Sequence, residues 1–163
     1  ILCETILPNP TPSRKRTLDL LMAVNRQENH DRIFNHLDAG HCVILNRYSY
    51  SNLVYGSQED CDEKFMWRNQ LDSYAWLPDC GFLIDLPATE SFKRKPNNRD
   101  NYEKDLEALE QVRVRYQGLA MTDKSTKWFA LDGNRTEYDI AFEVLAHLTP
   151  YLKALQERNQ KNV

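Results

Sequence analysis

The sequence contains no apolar run that approaches the roughly 20 residues of a membrane span, so we predict no membrane partner. It also has little excess charge, because 21 Lys and Arg stand against 24 Asp and Glu and leave a formal net charge of −3. Nucleic-acid binders usually carry a basic surface, so we predict no nucleic-acid partner. The first residues, Ile-Leu-Cys-Glu-Thr, include no basic segment and do not form a signal peptide. They also include no initiator Met, from which we expect that a segment upstream is absent.

Cysteine is scarce and scattered, with no C-x-x-C pair. Scattered thiols are typical of the cytoplasm or another reducing compartment rather than of a disulfide framework. The histidines give no metal pattern either. His36 and His41 are the nearest pair, but no third ligand stands at the spacing of a tetrahedral site. We therefore predict that no metal ion is bound by cysteine or histidine. The cysteines are Cys3, Cys42, Cys61 and Cys80.

Short apolar runs alternate with amphipathic segments along the 163 residues. A continuous apolar run without alternation is typical of a parallel strand buried on both faces, and an apolar stripe at 3.6-residue spacing is typical of a helix. The pattern predicts one α/β domain over residues 1–163, with helices flanking a parallel sheet. Three strands make a small sheet, so we expect one or two further strands upstream. The predicted strands are Cys42–Leu45, Gly81–Leu86 and Trp128–Leu131, and the predicted helices cover about 13–39, 62–75, 102–119 and 137–155.

Ligands of such folds bind at the carboxyl ends of the parallel strands. Residues 46–55, which read NRYSYSNLVY, directly follow the first predicted strand. Guanidinium groups bind phosphate bidentately through charge-assisted hydrogen bonds. Arg47, beside hydroxyl and aromatic side chains, therefore suits an anionic group attached to a flat ring. An ordinary loop with a surface arginine is an equally good interpretation of these residues alone.

Five short motifs follow one another in order along the chain. They are Asn25-Arg26, Asn46-Arg47-Tyr48-x-x-Ser51, Leu77-Pro78-Asp79, Lys93-Arg94 through Tyr102-Glu103, and Asp132-Gly133-Asn134. This ordered set resembles the thymidylate kinases, which carry Asp-Arg-Tyr-x-x-Ser after a strand and a basic lid that ends in Glu-Arg-Tyr-Glu. The resemblance covers about residues 13 to 155. It implies the fold of the P-loop nucleoside monophosphate kinases, with a lid at about residues 93–101.

The resemblance also implies phosphoryl transfer from ATP to dTMP, with Mg²⁺, and roles for particular residues. Two of these roles have ready alternatives: Arg94 belongs to a Lys-Arg-Lys run that is typical of a solvated surface, and Tyr102 lies on an apolar stripe. The acceptor nucleotide would contact Met22, Arg26, Arg47, Ser51, Tyr55 and Tyr102. The ATP side would include Arg94, with Lys93 beside it, and Gly133, Asn134 and Arg135. The catalytic set would be Asn46, Arg47 and Arg94.

Three departures from the family pattern bear on activity. The phosphate-binding loop, G-x-x-x-x-G-K-[ST], is absent, because none of the five glycines is followed by lysine. Asn46 stands where the family has an aspartate beside the magnesium, and an amide does not supply that charge. Met22 replaces the aromatic residue on which the family stacks the base. Asp85, near the carboxyl end of the second predicted strand, is the nearest carboxylate that could replace the missing one.

The sequence therefore leaves three hypotheses. The first is a thymidylate kinase, which would form a homodimer as an active family member. The second is a catalytically inactive relative that serves as a structural or binding subunit of a larger complex. The third is a related kinase with a different acceptor, since Met22 replaces the ring that is most diagnostic of the base.

Overall fold

Two parallel strands and six helices make up the part of the chain that the computed structural model describes, which is residues 12–55, 75–95 and 105–161. None of the described helices is long and apolar enough to cross a membrane. In chain order the elements are α1 Pro12–Glu28, α2 His30–Asp38, α3 Tyr48–Tyr55, β1 Cys80–Asp85, α4 Ala88–Arg94, α5 Leu106–Thr122, β2 Lys127–Asp132 and α6 Glu137–Lys161.

The two strands lie side by side in parallel, in a register that runs from Cys80 opposite Lys127 to Asp85 opposite Asp132. Parallel strands require a crossover connection, which here contains α4 and α5, and α5 packs against both strands. The predicted strands at 81–86 and 128–131 are thus confirmed, each within one or two residues. Because the strands are parallel and in register, both carboxyl ends lie at one edge of the sheet.

The prediction of a buried strand at Cys42–Leu45 is wrong. Residues 41–45 form no regular structure, and the Ile44 side chain is 85% exposed. A strand needs a neighbouring strand to receive its backbone hydrogen bonds, and in the described sheet β1 and β2 pair only with each other. The apolar composition of 42–45 alone therefore does not make a strand here. The prediction that both faces of the strand are buried is also wrong for β1, because the Ile84 side chain is 55% exposed.

The first predicted helix is two helices, separated by a turn at Asn29. The Asn29 side-chain amide donates to the Asn25 carbonyl oxygen at 2.8 Å, and the Asn29 backbone amide donates to the same oxygen at 3.2 Å. Gly40 ends α2 as predicted. Its φ of +75° is a left-handed value, and the amides of Gly40 and His41 donate back to the carbonyl oxygens of Leu37 and His36. This pair of bonds is the Schellman motif.

Helix α6 begins with the predicted cap. The Asp139 amide donates to the Thr136 hydroxyl at 3.1 Å, and that hydroxyl donates to the Asp139 carboxylate at 2.6 Å. Helix α6 lies against the sheet, because His147 stacks on Phe129 with ring centres 4.1 Å apart. The predicted helix at 62–75 lies outside the described residues. The buried apolar side chains are Leu18, Ala23, Ile33, Tyr50, Val54, Ala88 and Leu131.

Substituting Gly40 with alanine is expected to lower the free energy of unfolding by at least about 1 kcal/mol, because a Cβ is strained at positive φ and would meet the Asn159 side chain. Gly118→Ala is the matched control. Gly118 lies inside α5 with open space around it, so alanine is expected to stabilise the protein by about 0.5–1 kcal/mol. Urea unfolding measures both changes. Equal effects of the two substitutions would contradict the assigned turn.

Candidate active site

A strained turn leads from residues 41–45 into α3. Arg47 and Tyr48 have φ values of +66° and +49°, which are uncommon for residues that carry a Cβ, and the Tyr48 amide donates to the Asn46 carbonyl oxygen at 2.8 Å. Such backbone strain costs on the order of 1–3 kcal/mol per residue and is concentrated at functional sites. Arg47, the residue that sequence analysis assigned to phosphate binding, is thus held in an unusual backbone conformation.

The structure brings Arg47, Ser51 and Tyr55 together at α3 and adds Tyr116 from α5. The Arg47 guanidinium carbon lies 5.4 Å from the centre of the Tyr55 ring, within the range of a cation–π contact. The Ser51 hydroxyl is 3.1 Å from the Tyr116 hydroxyl, and the Tyr55 and Tyr116 rings meet edge to face at 6.3 Å. Three of the predicted acceptor-site residues therefore form one cluster.

Sequence reasoning missed Tyr116 because it lies on the apolar stripe of α5, where an aromatic residue indicates the core. Its ring is partly buried, and burial raises the pKa of its hydroxyl. The hydroxyl therefore stays protonated at neutral pH, when it can both donate and accept a hydrogen bond. Unlike an ordinary core side chain, Tyr116 carries a hydroxyl, and this hydroxyl contacts Ser51 of the cluster.

Further hydrogen bonds attach α3 to the segment between α5 and β2. The Tyr50 hydroxyl donates to the Asp123 carboxylate at 2.9 Å and also contacts the Thr126 hydroxyl, beyond the end of α5. Burial by itself would raise the pKa of Asp123, but hydrogen bonds from Ser125, Trp128 and Tyr50 outweigh it and lower that pKa to about 2. Asp123 is therefore charged at neutral pH, and charge-assisted hydrogen bonds hold α3 against the start of β2.

The other acceptor-site candidates on described residues are Met22 and Arg26, one turn apart on α1. That helix packs against α3, and the buried Asn52 amide joins the two helices by donating to the Asp19 carbonyl oxygen at 3.0 Å. Met22 is 39% exposed. Tyr102 lies outside the described residues.

At the carboxyl end of β1, Asp85 is the centre of an ion-pair network. Arg113 donates to both of its carboxylate oxygens, through Nε at 2.6 Å and Nη2 at 3.0 Å, and Gln117 donates to one of them at 2.8 Å. The hydrogen bonds from Arg113 lower the pKa of Asp85. Arg113 also pairs with Glu110, which accepts from the Ala88 amide at the start of α4. Arg113 thus joins β1, α4 and α5.

Of the residues predicted for the ATP side, Gly133 and Asn134 directly follow β2 at this same edge. The Gly133 amide donates to the Asp85 carbonyl oxygen at 2.7 Å, where a side chain at position 133 would collide. Asn134 donates twice to the Asp132 carboxylate, and Arg135 pairs with Glu143 on α6. Arg94 is exposed at the last residue of α4. Gly133 and Asn134 therefore lie at the end of β2, whereas Arg94 ends α4 and Arg135 is paired with α6.

Side chains of the described residues alone do not build a magnesium site. Both Asp85 oxygens are engaged by Arg113 and Gln117, so the expectation that Asp85 replaces the missing carboxylate is not supported. Asn46 offers an exposed amide, and no group of three His, Cys, Asp or Glu side chains within 12–55, 75–95 and 105–161 could hold a metal ion.

Comparison with known proteins gives one consistent result. A thymidylate kinase family profile matches residues 2–143. The thymidylate kinase of Dictyostelium discoideum is 28% identical over 150 residues, which is 92% of this chain and 65% of that protein. Probable thymidylate kinase 1 of Saccharolobus solfataricus is 29% identical, over 76% of this chain and 62% of its own length. The probable thymidylate kinase of Pyrococcus abyssi is 38% identical, over 62% and 50%.

The chain thus spans about half to two thirds of the length of these relatives. The match agrees with the parallel strands, and the family has the α/β fold of the P-loop nucleoside monophosphate kinases. From the profile that covers most of its length, this chain belongs to the thymidylate kinase family.

Proposed function

We propose that this chain provides the acceptor-nucleotide site of a thymidylate kinase, which as a whole protein transfers the γ-phosphoryl group of ATP to dTMP and forms dTDP and ADP. Thymidylate kinases act with ATP and Mg²⁺. The observation that carries the proposal is the cluster of Arg47, Ser51, Tyr55 and Tyr116, in which a cation, three hydroxyls and two aromatic rings meet where α3 and α5 pack together.

In this proposal the Arg47 guanidinium binds the 5′-phosphate, with Arg26 of the adjacent α1 as a second cation. Phosphoryl transfer depends chiefly on positioning and on neutralising charge. Two arginines on the acceptor phosphate would supply both, without forming a covalent intermediate. Ser51 and Tyr55 would lie near the sugar and base, Met22 would take the place of the stacking ring, and Tyr102 would contact the same nucleotide.

The remaining assignments stay proposals with indirect support. Residues 1–163 are proposed as one domain. Its lid would lie at about residues 93–101, where Lys93 and Arg94 end α4 with exposed side chains. We also keep Gly133, Asn134 and Arg135 as the border of the adenine. Asn46 and Arg94 complete the proposed catalytic set, and a homodimer is the proposed assembly of an active enzyme.

The test is calorimetry of dTMP binding. Arg47→Ala is expected to weaken dTMP about ten- to a hundredfold, because the loss of a hydrogen-bonded charge pair costs about 1.5–3 kcal/mol. Arg135→Ala is the matched control, since its guanidinium pairs with Glu143 on α6 and it is not assigned to the acceptor. Its dTMP affinity is expected to equal that of the wild type. No binding by a folded wild-type chain, or equal loss in both variants, would refute the assignment.

A catalytically inactive family member is the second candidate. Two observations favour it: Asn46 bears no charge, and both oxygens of Asp85 are engaged by side chains. This candidate also predicts a folded acceptor site, so the binding experiment does not separate the two. Activity measured after a phosphate-binding loop has been supplied separates them.

A further inference from the structure

Tyr116 connects α5 to the two α3 side chains that the acceptor site needs. Its hydroxyl is 3.1 Å from the Ser51 hydroxyl, and its ring meets the Tyr55 ring edge to face at 6.3 Å. Edge-to-face aromatic pairs prefer this range of distances and fix the relative orientation of both rings. One residue therefore restrains both Ser51 and Tyr55.

The hydroxyl pair leaves Ser51 able to bind a ligand. A hydroxyl has one proton to donate and two lone pairs to accept. When Tyr116 donates to Ser51 Oγ, the Ser51 proton and its second lone pair remain available. The pair also selects one side-chain rotamer of Ser51, so less side-chain freedom is lost when a ligand binds.

Other contacts restrain α3 in a different way. Arg115 donates to the Val54 carbonyl oxygen at 2.9 Å, and Tyr50 reaches Asp123 and Thr126. These contacts hold the backbone and the far side of the helix. The contacts of Tyr116 are with the site side chains themselves.

We propose that Tyr116 is a positioning residue of the acceptor site. Its hydroxyl holds the Ser51 side chain in the rotamer that binds the nucleoside monophosphate, and its ring orients the Tyr55 ring. This inference rests on the proposed function. It assigns Tyr116 no contact with the ligand: its effect on affinity passes through Ser51 and Tyr55.

A double-mutant cycle with dTMP tests the role. Tyr116→Phe removes only the hydroxyl, and we expect it to weaken dTMP about three- to tenfold, the equivalent of one hydrogen bond. In a Ser51→Ala background the same substitution is expected to change affinity less than twofold, because its target is gone. Tyr50→Phe is the matched control. It removes a hydroxyl that anchors α3 elsewhere, so its effect is expected to be the same in both backgrounds.

Hydrogen exchange gives a second readout that needs no ligand. In Tyr116→Phe, residues 51–55 are expected to exchange at the wild-type rate, because Arg115 and Tyr50 still hold the backbone of α3. Faster exchange across α3 in Tyr116→Phe, equal loss of affinity with and without Ser51, or wild-type affinity in Tyr116→Phe would each overturn the role of Tyr116 and leave the Arg47 assignment standing. Failure of the folded wild type to bind dTMP would overturn the proposed function together with this inference.

Discussion

The 163-residue chain is expected to release no ADP from ATP in the presence of dTMP and Mg²⁺. Phosphoryl transfer needs a cradle of backbone amides and a lysine around the β- and γ-phosphates. None of the five glycines precedes a lysine, and the described residues near Asp85 bind one another instead. A coupled assay for ADP release measures this. Turnover within the range of about 1–100 s⁻¹ that is usual for kinases would contradict the prediction.

A chimera carrying a thymidylate kinase phosphate-binding segment before residue 1 then separates the two candidate functions. In that chimera Asn46→Asp is expected to increase dTDP formation about tenfold or more, or about 1.4 kcal/mol in the barrier, because it restores the charge beside the magnesium. Asn35→Asp is the matched control. It makes the same chemical change at an exposed residue of α2 that has no assigned role, and no gain is expected.

Each result of the chimera experiment has one interpretation. If dTDP formation increases in Asn46→Asp and not in the control variant, the asparagine had disabled a working site. A folded chimera that is inactive with either residue at position 46 favours the structural or binding subunit. Full activity with Asn46 unchanged would refute the importance of this position.

Arg113→Ala is expected to have the largest effect on stability, lowering the free energy of unfolding by about 2–3 kcal/mol. The substitution leaves the Asp85 and Glu110 carboxylates without their main partner. Loss of a fully buried partner costs about 3–5 kcal/mol, and the cost here is smaller because the Arg113 and Asp85 side chains are 26% and 24% exposed. Urea unfolding at neutral pH measures the change.

Arg135→Ala serves as control for Arg113→Ala as well. Its pair with Glu143 is more exposed, at 40% and 34%, and exposed pairs contribute only about 0–1 kcal/mol. Equal losses in the two variants would mean that the network around Asp85 contributes no more than a surface ion pair.

The pH dependence of the Arg113 effect follows from the lowered pKa of Asp85. A carboxylate whose pKa is lower in the folded state contributes its full stability above its unfolded pKa, whose ordinary value is 3.8. This contribution is lost as the pH falls through the folded pKa. The difference between wild type and Arg113→Ala is therefore expected to be constant above about pH 5 and to shrink below pH 3.8. A difference that grows on acidification would contradict the proposed pairing.

The sequence by itself determined the two strands that pair and the positions of α5 and α6. Short apolar runs at 81–86 and 128–131, the Gly40 stop and the Thr136 cap are local signals, and local hydrogen bonding or φ preference is enough to produce them. The sequence also determined the family, because the order of motifs from Asn25-Arg26 to Asp132-Gly133-Asn134 is specific even where no single motif is.

Only the tertiary structure decided which residues meet. The apolar run at 42–45 reads as a strand, yet pairing depends on a neighbour that its own residues cannot specify, and Ile44 is exposed. Asp85 reads as a free carboxylate at a strand end, yet Arg113 and Gln117, 28 and 32 residues further along the chain, occupy its oxygens. Tyr116 reads as a core residue, yet its hydroxyl reaches Ser51, 65 residues away. Side-chain partners at such separations depend on how helices and strands pack, and periodicity carries no information about that packing.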